Sequence, residues 1–281
     1  MKAKVKVTNP DKVFWPKEGY TKGDVIDYYH AISKYILPYI QNRPQSLNRH
    51  PNGIKGENFF QKNVKGLAPK WAKTYHNYFV ATDEASLIYM VQLGCIEINP
   101  WFSRLGHLDK PDYLVLDLDP LEIDFKRVVE AAQTIRQILS KAGVKSYCKT
   151  SGATGLHVYV SLGAKYTYEQ AKHFANIVAI LTNKRLPKTT SVLRMPHKRR
   201  RKVYLDFLQN RKGQTLACPY SLRPKPGATV ATPLKWSEVK PGLNPKKFTI
   251  KTIFPRLKKH GDLFKPVLGK GIDLKKALKL L

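Results

Sequence analysis

The sequence is poor in cysteine and has no long apolar run, and each shortage excludes a class of protein. Its three cysteines, Cys95, Cys148 and Cys218, are scattered and show no C-x-x-C spacing. That pattern argues against a disulfide framework or a cysteine zinc site, and predicts small core residues in a reducing compartment. No uninterrupted apolar stretch reaches about 18 residues, the length needed to span a membrane. We therefore expect a soluble, cytoplasmic protein with no membrane partner.

Acidic residues are also scarce relative to basic ones. Twenty Asp plus Glu oppose fifty Lys plus Arg, which leaves a formal net charge of +30. Such an excess favours a polyanionic partner. Lysine-rich surfaces also occur in thermophile proteins, but those usually carry matching glutamate. The charge therefore predicts a nucleic-acid partner and residence with the nucleoid.

The stretch DYLVLDLDP, residues 112–120, places two aspartates after an apolar run. Side chains on a strand alternate between faces, so Asp117 and Asp119 point to the same side. Pro120 lacks an N–H and is expected to end the strand. Neighbouring carboxylates repel unless a cation or a shared proton compensates them, and Mg²⁺ or Mn²⁺ is a common solution. A solvated turn after a core strand is the alternative for a D-x-D pattern alone.

The order of elements around this strand predicts a split β-α-β sheet of ferredoxin or RNA-recognition-motif (RRM) topology in an α+β protein. Apolar periodicity indicates two helices, about 124–142 and about 167–183, and three further strands, 146–150, 156–162 and 203–208. Upstream, Thr21 is predicted to cap a helix, with Asp24 three residues on. Beyond about residue 211 the chain is rich in Pro, Gly and Lys and is predicted to wrap the core.

Two further groups fall at strand ends of the predicted sheet. The loop Ser151–Gly155 contains glycines that let backbone N–H groups converge on a phosphate, and His157 follows it. A strand histidine of this kind is more often structural than a phosphate ligand. Asp206 stands among apolar residues and needs a metal ion or a cation if buried. The basic run 197–202 upstream is either a solvated face or a phosphate contact.

A second basic stretch, residues 43–63, carries Phe59 and Phe60 between cations that include Arg49. Adjacent phenylalanines in a polar loop serve either as core anchors or as stacking platforms for bases. The residues alone leave these alternatives open.

Three carboxylates, an anion-binding loop and surrounding cations suit two-metal phosphoryl transfer. A hydroxyl nucleophile would make the protein a nucleotidyltransferase, and water would make it a nuclease. The constellation by itself does not choose between them.

Several blocks, in order, resemble the archaeo-eukaryotic primase superfamily, and most of all the primase-polymerase domain of bacterial and archaeal ligase D. They are NPDKVFWP, RPQSLNRHPNG with FFQKN, PDYLVLDLDP, the TSG-x-x-GLH loop, LDFLQN and PYSLRPKPGATVATPLKW. The resemblance implies a primase catalytic core in one domain, 1–281. Its parts would be an N-terminal lobe that binds DNA ends (1–110), an RRM-like catalytic core (111–210) and a C-terminal wrapping extension (211–281).

The resemblance also implies roles for individual residues. Asp117, Asp119 and Asp206 would be catalytic and hold two divalent ions, Mn²⁺ or Mg²⁺. The nucleotide triphosphate would contact Ser151, His157, Arg223 and Arg199. A downstream DNA 5′-phosphate would bind Asn9, Lys12 and Lys22, and the template and DNA end would meet Phe59, Phe60 and Arg49.

The function implied is template-dependent nucleotide addition that fills gaps and extends ends during non-homologous end joining of double-strand breaks. Ribonucleotides would be preferred among NTPs and dNTPs, and the expected partners are broken or gapped DNA, a Ku-like end-binding protein and a DNA ligase. De novo priming, or end bridging without catalysis, remain alternatives. The chain lacks ligase and phosphoesterase modules, so it is expected to be an excised domain or a stand-alone polymerase.

Two positions depart from the family pattern. Asn99 stands where relatives often carry histidine, which leaves a metal or template role there open. Thr154 replaces a lysine found in some relatives, and a weaker phosphate contact is expected.

Overall fold

A computed structural model describes residues 5–281 and gives an α+β fold. The helices are α1 (Lys22–Ile40), α2 (Glu84–Gln92), α3 (Phe125–Lys141), α4 (Tyr168–Arg185), α5 (Ile253–His260) and α6 (Leu274–Leu280). The strands of the N-terminal part are β1 (Val13–Trp15), β2 (Tyr20–Thr21), β3 (Arg43–Gln45), β4 (Leu47–Arg49), β5 (Phe59–Gln61), β6 (Lys73–Tyr75), β7 (Tyr78–Ala81) and β8 (Cys95–Glu97). Those that follow are β9 (Tyr113–Leu121), β10 (Tyr147–Thr150), β11 (Leu156–Ser161), β12 (Thr190–Ser191), β13 (Lys202–Asp206) and β14 (Pro233–Leu234). In this described part, no helix is long and apolar enough to cross a membrane.

The central sheet has six strands in the order β12-β13-β9-β11-β10-β14. Within its middle four strands, each strand is antiparallel to the next, with α3 following β9 and α4 following β11. This is the split β-α-β arrangement, so the predicted topology is confirmed. Two short edge strands extend it: β12 pairs parallel to β13, and β14 brings a segment of the C-terminal part to β10.

The two faces of the sheet bury different partners because side chains alternate along each strand. Leu116 and Leu118 of β9 are fully buried on one face and share a core with apolar residues of α3 and α4. Val115 and Tyr159, on the other face, are buried in a second core with α1 and α2. The second face thus carries an apolar half against the N-terminal layer and a polar half at the exit end of β9.

Helix α1 begins as the sequence predicts. The Thr21 side chain accepts a hydrogen bond from the backbone N–H of Asp24, and Asp24 accepts one from that of Thr21. This capping box satisfies two N–H groups that a helix start leaves unpaired.

The prediction that Pro120 ends its strand is wrong, since β9 runs on to Leu121 and Pro120 pairs with Val203. The Leu118 carbonyl points towards Gly155 on the β11 side, so the nitrogen of Pro120, two residues on, faces that side as well. Strand β11 begins only at Leu156, opposite Leu118. The missing N–H therefore costs no ladder hydrogen bond.

Candidate active site

One row of charged and polar side chains crosses the sheet near the exit end of β9. Asp206 lies opposite Asp117, Asp117 opposite His157, and His157 opposite Lys149. Directly opposite residues of antiparallel strands point to the same face, so all four share it. Asp119, two residues beyond Asp117, joins them there. The structure therefore brings the three predicted metal ligands to one face.

Burial and mutual repulsion perturb all three carboxyls. Burial raises the pKa of Asp117 to about 6, against the opposing pull of the Lys149 and Arg223 cations. Burial, with the negative charges of Asp117 and Asp206, raises the pKa of Asp119 to about 7. The pKa of Asp206 is raised too, first by burial and then by Asp117. Such a set of like charges is stable in ionised form only with added positive charge.

The residues present fit a divalent cation. Within residues 5–281, no group meets hydrogen-bond geometry at the buried Oδ1 of Asp117, although Nε2 of His157 lies 3.2 Å away, so the lone pairs of this oxygen remain available to a metal ion. Asp117, Asp119 and Asp206 all offer carboxylate oxygens, which are the ligands that Mg²⁺ and Mn²⁺ prefer. No three His, Cys, Asp or Glu side chains in this part of the chain are already gathered at metal-binding spacing.

Arg223 faces the carboxylates from the C-terminal part of the chain. Its Nε donates to Oε2 of Glu97 at 2.7 Å, and its Nη1 donates to the carbonyl of Ser151. A Cβ on Gly152 would lie 2.6 Å from Cγ of Arg223, and Gly152 has φ +73°. A glycine here therefore allows both the turn and the close approach of the arginine.

The loop Ser151–Gly155 closes on its own serine. Oγ of Ser151 accepts from the backbone N–H groups of Ala153 at 3.1 Å and of Gly155 at 3.0 Å. Two N–H groups of the expected phosphate nest are thus engaged within the loop. Gly155 is tightly packed, since a Cβ there would stand 2.3 Å from the Leu118 carbonyl oxygen.

His157 and Lys149 are both buried beside the carboxylates. Nε2 of His157 lies 3.2 Å from Oδ1 of Asp117. Burial, and then the Lys149 and Arg223 cations, hold the pKa of His157 well below its ordinary value, so the ring is neutral at pH 7. A neutral imidazole still donates one N–H, which suits a hydrogen bond to a phosphate oxygen. Burial, followed by Arg223, lowers the pKa of Lys149 to about 7.

Arg199 lies behind Asp206. Its guanidinium sits over the Tyr204 ring, 4.1 Å from the centroid, and the Tyr204 hydroxyl donates to Oδ1 of Asp206 at 3.3 Å. The Arg199 charge lowers the pKa of Asp119, against the larger effects that raise it. Arg199 is therefore close enough to the carboxylates to affect them electrostatically.

The cavity in front of the carboxylates has a volume of about 150 Å³. Its walls include Asp117, Asp119, His157 and Arg223, with Phe60 at one side. The two positions that depart from the family pattern, Asn99 and Thr154, both line it. Asn99 is buried, and its Nδ2 donates to the Glu97 carbonyl at 3.5 Å. Its amide is thus directed at the end of β8, where the Glu97 side chain pairs with Arg223.

The two phenylalanines are exposed rather than core anchors. Phe59 and Phe60 lie on β5 and are 47% and 60% exposed. The Arg49 guanidinium stacks over Phe59 at 5.3 Å, and its Nη1 donates to Oε1 of Gln61 at 2.9 Å. Phe60 lines the cavity, whereas Phe59 and Arg49, directly opposite each other on β5 and β4, point to the other face of that sheet. Exposed aromatic rings beside a cation suit stacking with nucleic-acid bases.

Asn9 and Lys12 of the N-terminal loop lie beside Lys22, the first residue of α1. The backbone N–H of Lys12 donates to the Asn9 carbonyl at 3.2 Å, and the backbone N–H of Lys22 donates to the Lys12 carbonyl at 2.8 Å. The Lys22 side chain is buried, and its Nζ donates to the Thr8 carbonyl at 2.8 Å. Burial, and then the nearby charge of Lys12, lower the pKa of Lys22. Because the two positive charges repel each other, an anion bound near them would relieve the repulsion.

This loop is tied to the segment that carries Arg223. Trp15 Nε1 donates to the Lys225 carbonyl at 2.7 Å. The Gly227 N–H donates to Oε1 of Glu18 at 2.6 Å. The two contacts join the β1–β2 hairpin to the turn that follows Arg223.

Three residues around the site were not predicted from the sequence. Glu97 pairs with Arg223, Lys149 completes the charged row, and Asn210 is buried against β9. Lys149 and Asn210 lie within or beside the quoted motifs, as the first residue of KTSG and the last of LDFLQN. Their position next to the motifs was visible in the sequence, but their burial and their contacts were not.

Comparison with known proteins agrees with this geometry. The family model described as LigD, primase-polymerase domain, matches residues 21–264. The bifunctional non-homologous end joining protein LigD of Bacillus subtilis is 35% identical over 267 residues, which covers 93% of this chain and 44% of that protein. The multifunctional LigD of Mycolicibacterium smegmatis is 33% identical over 276 residues, or 94% of this chain and 36% of that protein. The chain thus spans less than half the length of either relative.

A solved structure is also similar. The polymerase domain from Mycobacterium tuberculosis ligase D, in complex with DNA, superposes with a TM-score of 0.86 at 29% identity. The match covers 96% of this chain and 99% of that one.

Proposed function

The chain belongs to the LigD primase-polymerase domain family, a family of nucleotidyltransferases, and on that premise we propose that it fills gaps and extends ends during non-homologous end joining of DNA double-strand breaks. It would do so as one domain, residues 1–281, with DNA as template. The observation that carries the proposal is the placement of Asp117, Asp119 and Asp206 on one sheet face, opposite Arg223.

Asp117, Asp119 and Asp206 would hold two divalent ions, Mn²⁺ or Mg²⁺. When bound, these ions lower the pKa of the attacking primer 3′-hydroxyl and neutralise the triphosphate. The raised pKa values of the three carboxyls and the unpartnered Oδ1 of Asp117 support this assignment.

The incoming nucleotide would be oriented by Arg223, Ser151 and His157. The Glu97 contact fixes the direction of the Arg223 guanidinium, and neutral His157 offers an N–H to phosphate without adding charge. Arg199 would approach the triphosphate from the Tyr204 side. In the reaction the 3′-hydroxyl oxygen bonds to the α-phosphorus, and pyrophosphate leaves. A preference for ribonucleotides is part of the proposal.

DNA would contact two further regions of the protein. Asn9, Lys12 and Lys22 would bind the 5′-phosphate on the far side of the gap, since clustered lysines favour a phosphate. Phe59 and Phe60 would stack against template and end, with Arg49 on the backbone. The net charge of +30 supports association with nucleoid DNA. A Ku-like end-binding protein and a DNA ligase are the proposed partners.

Extension of a labelled primer across a gap with a downstream 5′-phosphate tests this function. Wild type and Asp117→Ala would be compared with Mn²⁺ or Mg²⁺, and with rNTPs or dNTPs. We expect templated addition by wild type and none by the variant.

Other outcomes identify the rival functions. Product from template without any primer would indicate a de novo primase, and a shortened primer would indicate a nuclease. Tight DNA binding with no product under any condition would favour an end-bridging module.

A further inference from the structure

The ladder between β9 and β13 stops at the catalytic carboxylates. Asp206 pairs with Asp117, and the same register continued would set residue 208 opposite Val115. The chain instead leaves the sheet after Asp206 and forms a 3-10 turn, Leu208–Asn210. Val115 is fully buried, so its N–H and carbonyl need other partners.

The side chain of Asn210 takes the place of the missing strand. Its Oδ1 accepts from the Val115 N–H at 2.8 Å, and its Nδ2 donates to the Val115 carbonyl at 2.6 Å. A carboxamide carries the same acceptor and donor as a peptide group, so one side chain satisfies both Val115 groups. Asn210 is 1% exposed, and Nδ2 also donates to the Phe207 carbonyl at 2.9 Å.

The departure of the backbone from the sheet is what orients Asp206. Within the turn, the Leu208 N–H donates to Oδ1 of Asp206 at 2.8 Å, and Gln209 Nε2 donates to Oδ2 at 3.2 Å. In a continued strand the N–H of residue 208 would be directed at Val115 instead. The carboxylate can be held in this way only if another group pairs with Val115.

We propose that Asn210 is a positioning residue for the metal-binding carboxylates. By clamping the 3-10 turn to Val115, it fixes the Asp206 carboxylate relative to Asp117 on the neighbouring strand. Asn210 touches neither the cavity nor the reacting groups. The inference rests on the proposed function in one respect, that these carboxylates bind divalent metal.

The proposal is tested by measuring Mn²⁺ binding to the full chain by electron paramagnetic resonance, without DNA or nucleotide. Asn210→Ala removes both contacts with Val115. Asn210→Asp keeps the shape and the acceptor but loses the donor. Leu139→Ala, a fully buried residue of α3 on the other face of the sheet, is the control for loss of stability.

We expect both Asn210 variants to bind Mn²⁺ about tenfold or more weakly, as loss of a group supporting metal ligands typically does. The Mn²⁺ concentration for half-maximal extension should rise in parallel, while the control remains like wild type. Equal Mn²⁺ affinity in wild type and folded Asn210 variants would overturn the proposal.

Two outcomes separate this proposal from others. Loss of the fold in both Asn210 variants, judged by circular dichroism, would show that Asn210 serves folding and would contradict the positioning role. Absence of Mn²⁺ binding in the wild type would contradict the two-metal function itself, and the inference would fall with its premise.

Discussion

Asp206 lies directly opposite Asp117 in an antiparallel ladder, so two carboxylates that repel each other are fixed side by side by backbone hydrogen bonds. The folded chain supplies the energy that keeps them together, and a bound cation would remove the repulsion. The stability and the activity of the protein should therefore respond in opposite ways to the loss of one carboxylate.

The contribution of Asp119 to the stability of the metal-free protein should fall as the pH rises. Folding raises the pKa of Asp119 from 3.8 to about 7, so between these values the folded state holds a proton that the unfolded chain has lost. Its contribution to stability is complete below about pH 4 and is lost as the pH passes about 7. We expect the melting temperature of wild type in a chelator, measured relative to that of Asp119→Asn, to fall from about pH 5 to about pH 8.

Asp119→Asn provides the control for this effect. It should flatten the pH dependence in the chelator and melt higher than wild type at about pH 8, while abolishing extension. Added Mn²⁺ should stabilise wild type more than the variant, because a ligand stabilises the state that binds it. An identical pH profile for both proteins would show that Asp119 does not titrate as described.

Glu97→Gln should weaken nucleotide binding through Arg223. Glutamine has nearly the size of glutamate but lacks its negative charge. The substitution therefore leaves the largely buried Arg223 guanidinium, whose Nε lies 2.7 Å from Oε2 of Glu97, without its carboxylate partner. Breaking such a pair costs about 3 kcal/mol of stability. We expect the KM for NTP to rise about tenfold, equivalent to about 1.4 kcal/mol, with a smaller change in kcat. An unchanged KM at saturating DNA and metal would argue against this role.

Gly152→Ala should impair nucleotide use because the added Cβ would collide with Arg223, in addition to straining the backbone. Both Gly152 and Gly143 have positive φ, +73° and +69°, but only Gly152 has Arg223 Cγ within 2.6 Å of an added Cβ. Gly143→Ala meets nothing within 4 Å and is the matched control. Gly143→Ala should cost about 1–2 kcal/mol in unfolding free energy from backbone strain. Gly152→Ala should cost more, because its Cβ would also stand 2.8 Å from the Ala231 backbone nitrogen and 3.0 Å from the Val230 carbonyl carbon. Only Gly152→Ala should raise the KM for NTP, and equal KM values for both would contradict the assignment.

Lys12→Ala combined with Lys22→Ala should reduce the preference for gaps that carry a 5′-phosphate. Lys12 lies in the N-terminal loop and Lys22 begins α1, and removing both takes away the positive charge that a terminal phosphate would meet. Extension of a simple primer–template should be spared. Lys145→Ala with Lys270→Ala, two exposed lysines, removes the same charge elsewhere. An equal loss on both substrates would refute the pocket.

The regular part of the fold was predictable because it depends on local patterns. Helix α3 was expected at about 124–142 and spans Phe125–Lys141, and the split β-α-β order follows from strands and helices that the periodicity shows. Pro120 was misinterpreted because its effect depends on which side of β9 has a neighbouring strand at that point. That is a property of the sheet and not of the local sequence.

In the candidate site, too, the features that depend on local sequence were predictable and those that depend on the folded arrangement were not. Asp117 and Asp119 share a face by simple alternation, which sequence shows. Glu97 and Arg223 are far apart in the chain, and their pairing depends on the packing of the C-terminal segment. The function of Asn210 could not be inferred either, because it replaces a strand residue that only the register reveals as missing.

The contacts of Trp15 with Lys225 and of Glu18 with Gly227 connect the β1–β2 hairpin and the Arg223 turn into one piece of structure. Under the proposed function, the two ends of that piece hold a terminal phosphate and an incoming triphosphate. The distance between the two phosphate sites would then have a fixed length. A gap that does not match this length must be accommodated by bending or unstacking the DNA, and the energy needed depends on the sequence being deformed.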